Sequence, residues 1–121
     1  MQKTTRHVLV LVTCGSRPEA ARIANAVVEG RLAACVNIFE SKVSSVYRWK
    51  DRVEQAREIL LTIKTTRMRL AALQTEIMRL HSYDTPEFIV VPIQFGSAAY
   101  LAWIDECVGV ERASSRGKSR N

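Results

Sequence analysis

The sequence predicts an α+β fold, a ferredoxin-like split βαβ sandwich in which two helices cover one face of a four-stranded antiparallel sheet and a third helix is added at the C-terminus. Three observations predict it. Short apolar runs that suit strands alternate with stretches of 3.6-residue periodicity, in the order βαβ-βαβ-α. One long extended stretch doubles back through a single polar turn. A chain of 121 residues, 47% of them apolar, is one domain with material for a real core.

Val8–Val12 is a β-branched run suited to a strand buried on both faces. Ser16-Arg17-Pro18-Glu19 then matches a capping box, in which Ser16 takes a first-turn N–H and Glu19 reaches back to the Ser16 N–H. Pro18 suits the first turn, where N–H groups have no intrahelical partner. Ala20, Ile23, Ala24 and Val27 share one face of this helix, and Gly30 is placed to stop it. From Leu32 to Trp49 the chain is extended, with a polar bend at Glu40-Ser41-Lys42. Lys50-Asp51-Arg52 forms a hairpin turn, and a second long strand returns from Val53 to Lys64. Thr65 and Thr66 offer a cap for a second helix, along which Leu70, Leu73, Ile77 and Leu80 repeat at helical spacing. The last strand runs from Phe88 to Gln94. Ser97 then caps a third helix with Leu101, Ile104 and Val108 on one stripe and Tyr100, Trp103 and Cys107 on the next.

In such a fold only one sheet face is covered by helices, so strands should alternate apolar and polar. Val8–Val12 and Phe88–Ile93 do not alternate. Their second face needs a cover that the chain has no spare element to supply, and another subunit is the economical cover.

Composition removes several classes. No apolar run approaches the roughly 20 residues that cross a bilayer, and the short apolar run after His7 is not a signal-peptide core, so membrane association is not expected and a cytoplasmic location is. Three cysteines without a CxxC pair suit reduced thiols rather than a disulfide framework. Half of the net charge of +6 lies in residues 110–121, where Arg112, Arg116, Lys118 and Arg120 face only Glu111. The body, residues 1–109, is therefore close to balanced and calls for no nucleic-acid partner. The 110–121 segment lacks any sizeable apolar side chain beyond Val110 and is expected to be a disordered basic tail.

The chemistry concentrates in His81-Ser82-Tyr83-Asp84-Thr85-Pro86-Glu87, a polar loop between a helix and a strand. This loop is similar to the His-x-Tyr-x-x-x-Glu run of the CutA divalent-cation-tolerance proteins. Gly30-Arg31-Leu32-Ala33-Ala34-Cys35-Val36-Asn37 resembles that family's helix-to-strand junction. Ser45-Val46-Tyr47-Arg48-Trp49 resembles its Ser-x-Tyr-x-Trp run, the strand ending in Lys64-Thr65 its Lys-Thr end, and Tyr100-Leu101-Ala102-Trp103 its terminal helix. The matches span about residues 8–107. The resemblance implies a trimer of ferredoxin-like subunits, a shape like the PII signalling proteins, and divalent copper as a ligand, with Cys14 and His81 at the implicated positions. Leu80 stands where some members have a second His, which implies weak copper binding. Ser82 replaces the usual Pro.

Thiolate and imidazole are competent ligands for copper or zinc. The same residues also have plain roles: Cys14 as a small core residue and His81 as a hydrogen-bonding loop residue. Tyr47, Trp49, Glu58, Lys64, Tyr83, Glu87 and Trp103 are candidates for a polar cleft between subunits. In it Lys64 would meet an anion or pair with Glu87; an ion pair at a trimer seam and aromatic packing are the alternatives. No phosphate loop, HExxH or nucleophile elbow occurs, so hydrolysis has little to work with. The expected function is a non-enzymatic homotrimer linked to divalent metal tolerance, binding a divalent cation or a small anion near the intersubunit cleft. A PII-like nucleotide sensor is the alternative. RNA binding ranks below both, because the central strands carry Val, Leu and Ile rather than exposed aromatics.

Overall fold

The computed structural model describes residues 1–109, so the expected basic tail at 110–121 lies outside the described residues. The strands are β1 (Gln2–Lys3), β2 (His7–Cys14), β3 (Cys35–Ile38), β4 (Val43–Trp49), β5 (Arg52–Thr66), β6 (Ile89–Pro92) and β7 (Phe95–Gly96). The helices are α1 (Arg17–Glu29), α2 (Leu70–Leu80), preceded by a 3-10 turn at Arg67–Arg69, and α3 (Ala98–Val108). The main sheet runs β3-β5-β2-β6 with every pairing antiparallel, the ferredoxin-like arrangement the sequence predicts. Among the described residues no helix is long and apolar enough to cross a membrane.

Strand β5 dictates the shape. Its 15 residues span roughly 50 Å at a strand's rise per residue. The half from Ile59 onward pairs with β2, while residues 52–58 pair only with β4. The β4–β5 hairpin therefore projects past the sheet as an arm. Lys50 (φ 52°) and Asp51 (φ 67°) form its two-residue tip, both left-handed as a tight hairpin turn requires. Asp51 tolerates this conformation better than most residues, but glycine does so without strain. Asp51→Gly is therefore expected to stabilise the fold by about 0.5 kcal/mol and Asp51→Val to destabilise it by about 1 kcal/mol. Thermal unfolding of both variants checks this, and equal melting temperatures would show that the turn does not set the register.

The core lies between the sheet and α1 and α2. Val8, Val10, Val12 and Cys14 of β2 and Ile59, Leu61 and Ile63 of β5 face Ile23, Val27, Leu73 and Ile77, all without solvent exposure. Ser16 caps α1 as predicted, its Oγ accepting the Glu19 N–H. The other half of the capping box does not form, because the Glu19 carboxylate turns to the 81–87 loop instead.

Gly30 ends α1 but is not its left-handed residue; Arg31 is (φ 59°). The Leu32 N–H donates to Val27 O and the Arg31 N–H to Val28 O, a Schellman ending with arginine where glycine is usual. The Arg31 side chain offers a reason, since it donates to Cys107 O at the end of α3. Thr65 and Thr66 do not cap α2. They belong to β5, and the Thr65 hydroxyl donates to Leu32 O.

α3 covers one end of the second sheet face, packing Ile104 and Val108 on Ala34. Buried His7 fixes it to β2, donating from Nε2 to Asp105 Oδ1 (2.9 Å). Among the described residues nothing covers the rest of that face, and Ile89 and Val91 are exposed, as the unbroken apolar strands anticipated. The β1–β7 pairing has no clear signal in the sequence.

Candidate functional site

Three structural elements converge beneath the hairpin arm: the end of β2 at Thr13-Cys14-Gly15, the middle of β5 at Glu58, and the 81–87 loop. The loop is held by its own polar residues. His81 leaves α2 in an extended conformation and is 92% buried. Its Nε2–H donates to Thr13 O (2.8 Å), which leaves Nδ1 to accept the Tyr83 N–H (3.1 Å). Glu19, also buried, accepts the Ser82 N–H (2.6 Å) and the Ser82 hydroxyl (3.1 Å). The Tyr83 phenol then donates to Glu58 Oε2 (2.9 Å). Loop, first helix and central strand are thereby tied into one rigid unit. Gly15 belongs to it for steric reasons: a Cβ there would stand 3.3 Å from the Tyr83 hydroxyl and press it off Glu58.

A cavity of about 770 Å³ opens between this unit and the arm. Tyr47, Trp49, Ser45 and Val46 line it from β4, Thr13 and Glu58 from the sheet, and residues 83–87 from the loop. Its electrostatics are one-sided: Glu58, Asp84 and Glu87 line it, and among the described residues no Lys, Arg or His does. Glu58 is 93% buried and accepts one hydrogen bond, from Tyr83, with no cation in ion-pair range among the described residues. The Glu87 carboxyl is held above the ordinary carboxylate range, first by burial and then by the charge of Glu58. The Tyr83 phenol is pushed up by burial and by its bond to Glu58, so it stays a neutral donor.

The structure thus brings together Tyr47, Trp49, Glu58, Tyr83 and Glu87, five of the seven predicted cleft residues. Lys64 and Trp103 do not line this cavity. Lys64 shares a strand face with Glu58, but six residues of strand separate them by roughly 20 Å, and its ammonium donates to Asn37 Oδ1 rather than to Glu87. Trp103 packs beside Tyr100 on α3, over the other end of the sheet. Glu19 is the residue sequence reasoning missed: a Glu three positions after a capping Ser signals a helix start, and nothing local redirects it to a loop 63 residues away.

Cys14 and His81, the expected metal ligands, are both buried in the chain. The Cys14 thiol has no solvent exposure, and burial, with the nearby charges of Glu19 and Glu58, pushes it up to about 12, so it holds its proton. Both His81 ring nitrogens are engaged in hydrogen bonds. Among the described residues no group of three or more His, Cys, Asp and Glu side chains is placed to cage an ion.

Comparison with known proteins gives concordant matches. A family described as CutA1 divalent ion tolerance protein matches residues 8–107. The divalent-cation tolerance protein CutA of Thermus thermophilus is 43% identical over 101 residues, 84% of this chain and 97% of that protein. Its solved structure superposes with a TM-score of 0.83 at 42% identity, covering 85% of this chain and 99% of that one. The CutA of Archaeoglobus fulgidus, described as periplasmic, superposes with a TM-score of 0.82 at 39% identity, covering 85% of this chain and 99% of the other.

Proposed function

The chain belongs to the CutA1 divalent ion tolerance family, and from that membership we propose that it acts as a non-enzymatic homotrimer in divalent-cation tolerance, with the cavity under the arm as a site for positive charge. The observation that carries this is the lining: Glu58, Asp84 and Glu87, with no basic side chain among the described residues. A buried carboxylate without a counter-ion is costly, and a bound cation relieves the cost. The same walls repel phosphate, which counts against both the small-anion reading and the nucleotide-sensor reading. A divalent ion enters with much of its hydration shell, held by carboxylate charge rather than by Cys14 and His81. Copper, the metal the family resemblance implies, therefore binds weakly here. The trimer has separate support in the open sheet face around Ile89 and Val91 and in the protruding arm with exposed Val46 and Val53. A neighbour packed there places the cavity at a subunit boundary. Three unpaired thiols support the cytoplasm as its compartment.

The test is calorimetric titration of copper(II) and manganese(II) into the wild type, Glu58→Gln and Cys14→Ser, with light scattering for mass. The expected result is a trimeric mass, weak binding, at least a tenfold loss in Glu58→Gln and no change in Cys14→Ser. A monomeric mass would overturn the assembly. Binding lost in Cys14→Ser but kept in Glu58→Gln would move the site to the thiol.

A further inference from the structure

The cavity is far larger than a bare ion needs. Divalent ions sit 2.0–2.6 Å from their ligands, whereas about 770 Å³ lies within the range of small-molecule pockets. Its carboxylates do not converge tightly enough to cage an ion. Its charged groups are acceptors: Glu58 and Glu87 present oxygens, and the Tyr83 phenol hydrogen is already given to Glu58, while Thr13, Ser45, Tyr47 and Thr85 add neutral hydroxyls. The ligand group that meets these carboxylates must therefore donate. The ligand must also fill apolar space, because Tyr47 and Trp49 form the arm side of the wall. Aromatic faces attract cations, and Trp49 already does so: the ammonium of Lys50 stands 5.8 Å from its ring centroid.

We propose that this pocket binds an organic ammonium ion, an aliphatic amine whose N–H groups donate to Glu58 and Glu87 and whose carbon chain lies on Tyr47 and Trp49. This rests on the reading that the cavity is the ligand site and takes positive charge, and it names the class of cation. Glu58 is the anchor. It is 93% buried, among the described residues only Tyr83 donates to it and no cation pairs with it, and it lines the cavity, so an entering ammonium supplies a counter-charge. The amine's advantage over a hydrated metal ion is that it shows the acids N–H donors and shows the aromatics hydrocarbon. A neutral alcohol of the same length offers hydroxyl donors but no charge, and should be rejected.

Calorimetric titration of the full chain, as it assembles in solution, tests this with three probes: 1,4-diaminobutane, the uncharged 1,4-butanediol, and manganese(II). The diamine is expected to saturate a site and the diol to give no binding heat. Glu58→Gln keeps the acceptor for Tyr83 but removes the charge, and should weaken the diamine at least tenfold. Trp49→Leu, on the arm and outside the core of the single chain, should weaken it about fivefold. That variant keeps the test decisive if Glu58→Gln folds poorly. Diol binding equal to the diamine overturns the proposal, as does diamine binding that neither substitution alters. Glu58-dependent manganese binding without diamine binding overturns the amine and leaves the cation pocket standing. Failure of both probes removes the cation pocket and the amine together.

Discussion

Replacing Glu19 with alanine is expected to cost the fold about 3 kcal/mol and to free the 81–87 loop. The carboxylate is buried and accepts two hydrogen bonds from Ser82, one at 2.6 Å. Hydrogen bonds to a charged group are worth about 1.5–3 kcal/mol, and the truncation also strands the Ser82 N–H. The loop would lose its tether to α1 while His81 still held Thr13, so the Tyr83–Glu58 contact would loosen. Glu19→Gln keeps an acceptor and should cost about half as much. Guanidinium denaturation at fixed protein concentration measures the loss, and amide hydrogen exchange at Ser82 locates it. A loss below about 1 kcal/mol, or unchanged Ser82 exchange, would show that the carboxylate does not hold the loop.

Ile63→Ala should cost about as much, for a different reason. Ile63 has no solvent exposure and pairs with Val10 on one side and Val36 on the other. Truncation loses transfer free energy and leaves a cavity between strands that cannot close, about 2–5 kcal/mol together. Ile89→Ala is the informative control. Ile89 is 51% exposed in the single chain, so in a monomer its truncation should cost less than about 1 kcal/mol. If a neighbouring subunit covers that face, the loss should grow and should depend on protein concentration. Denaturation midpoints of both variants at two concentrations separate these cases. A small, concentration-independent loss for Ile89→Ala would count against the trimer.

Much of the fold was legible because its signals are local. Ser16 and Ser97 cap their helices through their own side chains. The Lys50-Asp51 turn sits between two strands whose register it sets. Where the reading failed, a distant partner competed for a local group. Thr65 carries the signature of a helix cap but gives its hydroxyl to Leu32, 33 residues earlier. Glu19 carries the signature of a capping box but is taken by Ser82. Gly30 does stop α1 as expected, but the left-handed residue that follows is Arg31, whose side chain holds the far end of α3.

The sequence by itself determined the order of the main strands and helices, the core faces, the unbroken apolar strands, and the cluster of polar residues in the 81–87 loop. Periodicity and turn chemistry act over a few residues, so they can be read from the chain alone. Only the tertiary structure decided which candidates meet. It brought Tyr47 and Trp49 of the arm over Glu58 and Glu87, sent Lys64 to Asn37 and Trp103 to the α3 cluster, and sealed Cys14 inside the core. The reason is geometric. A strand period tells which face a side chain takes, but not where along a roughly 50 Å strand the loop will dock. The docking of His81 and Glu19 set that position, and with it the negative charge of the cavity.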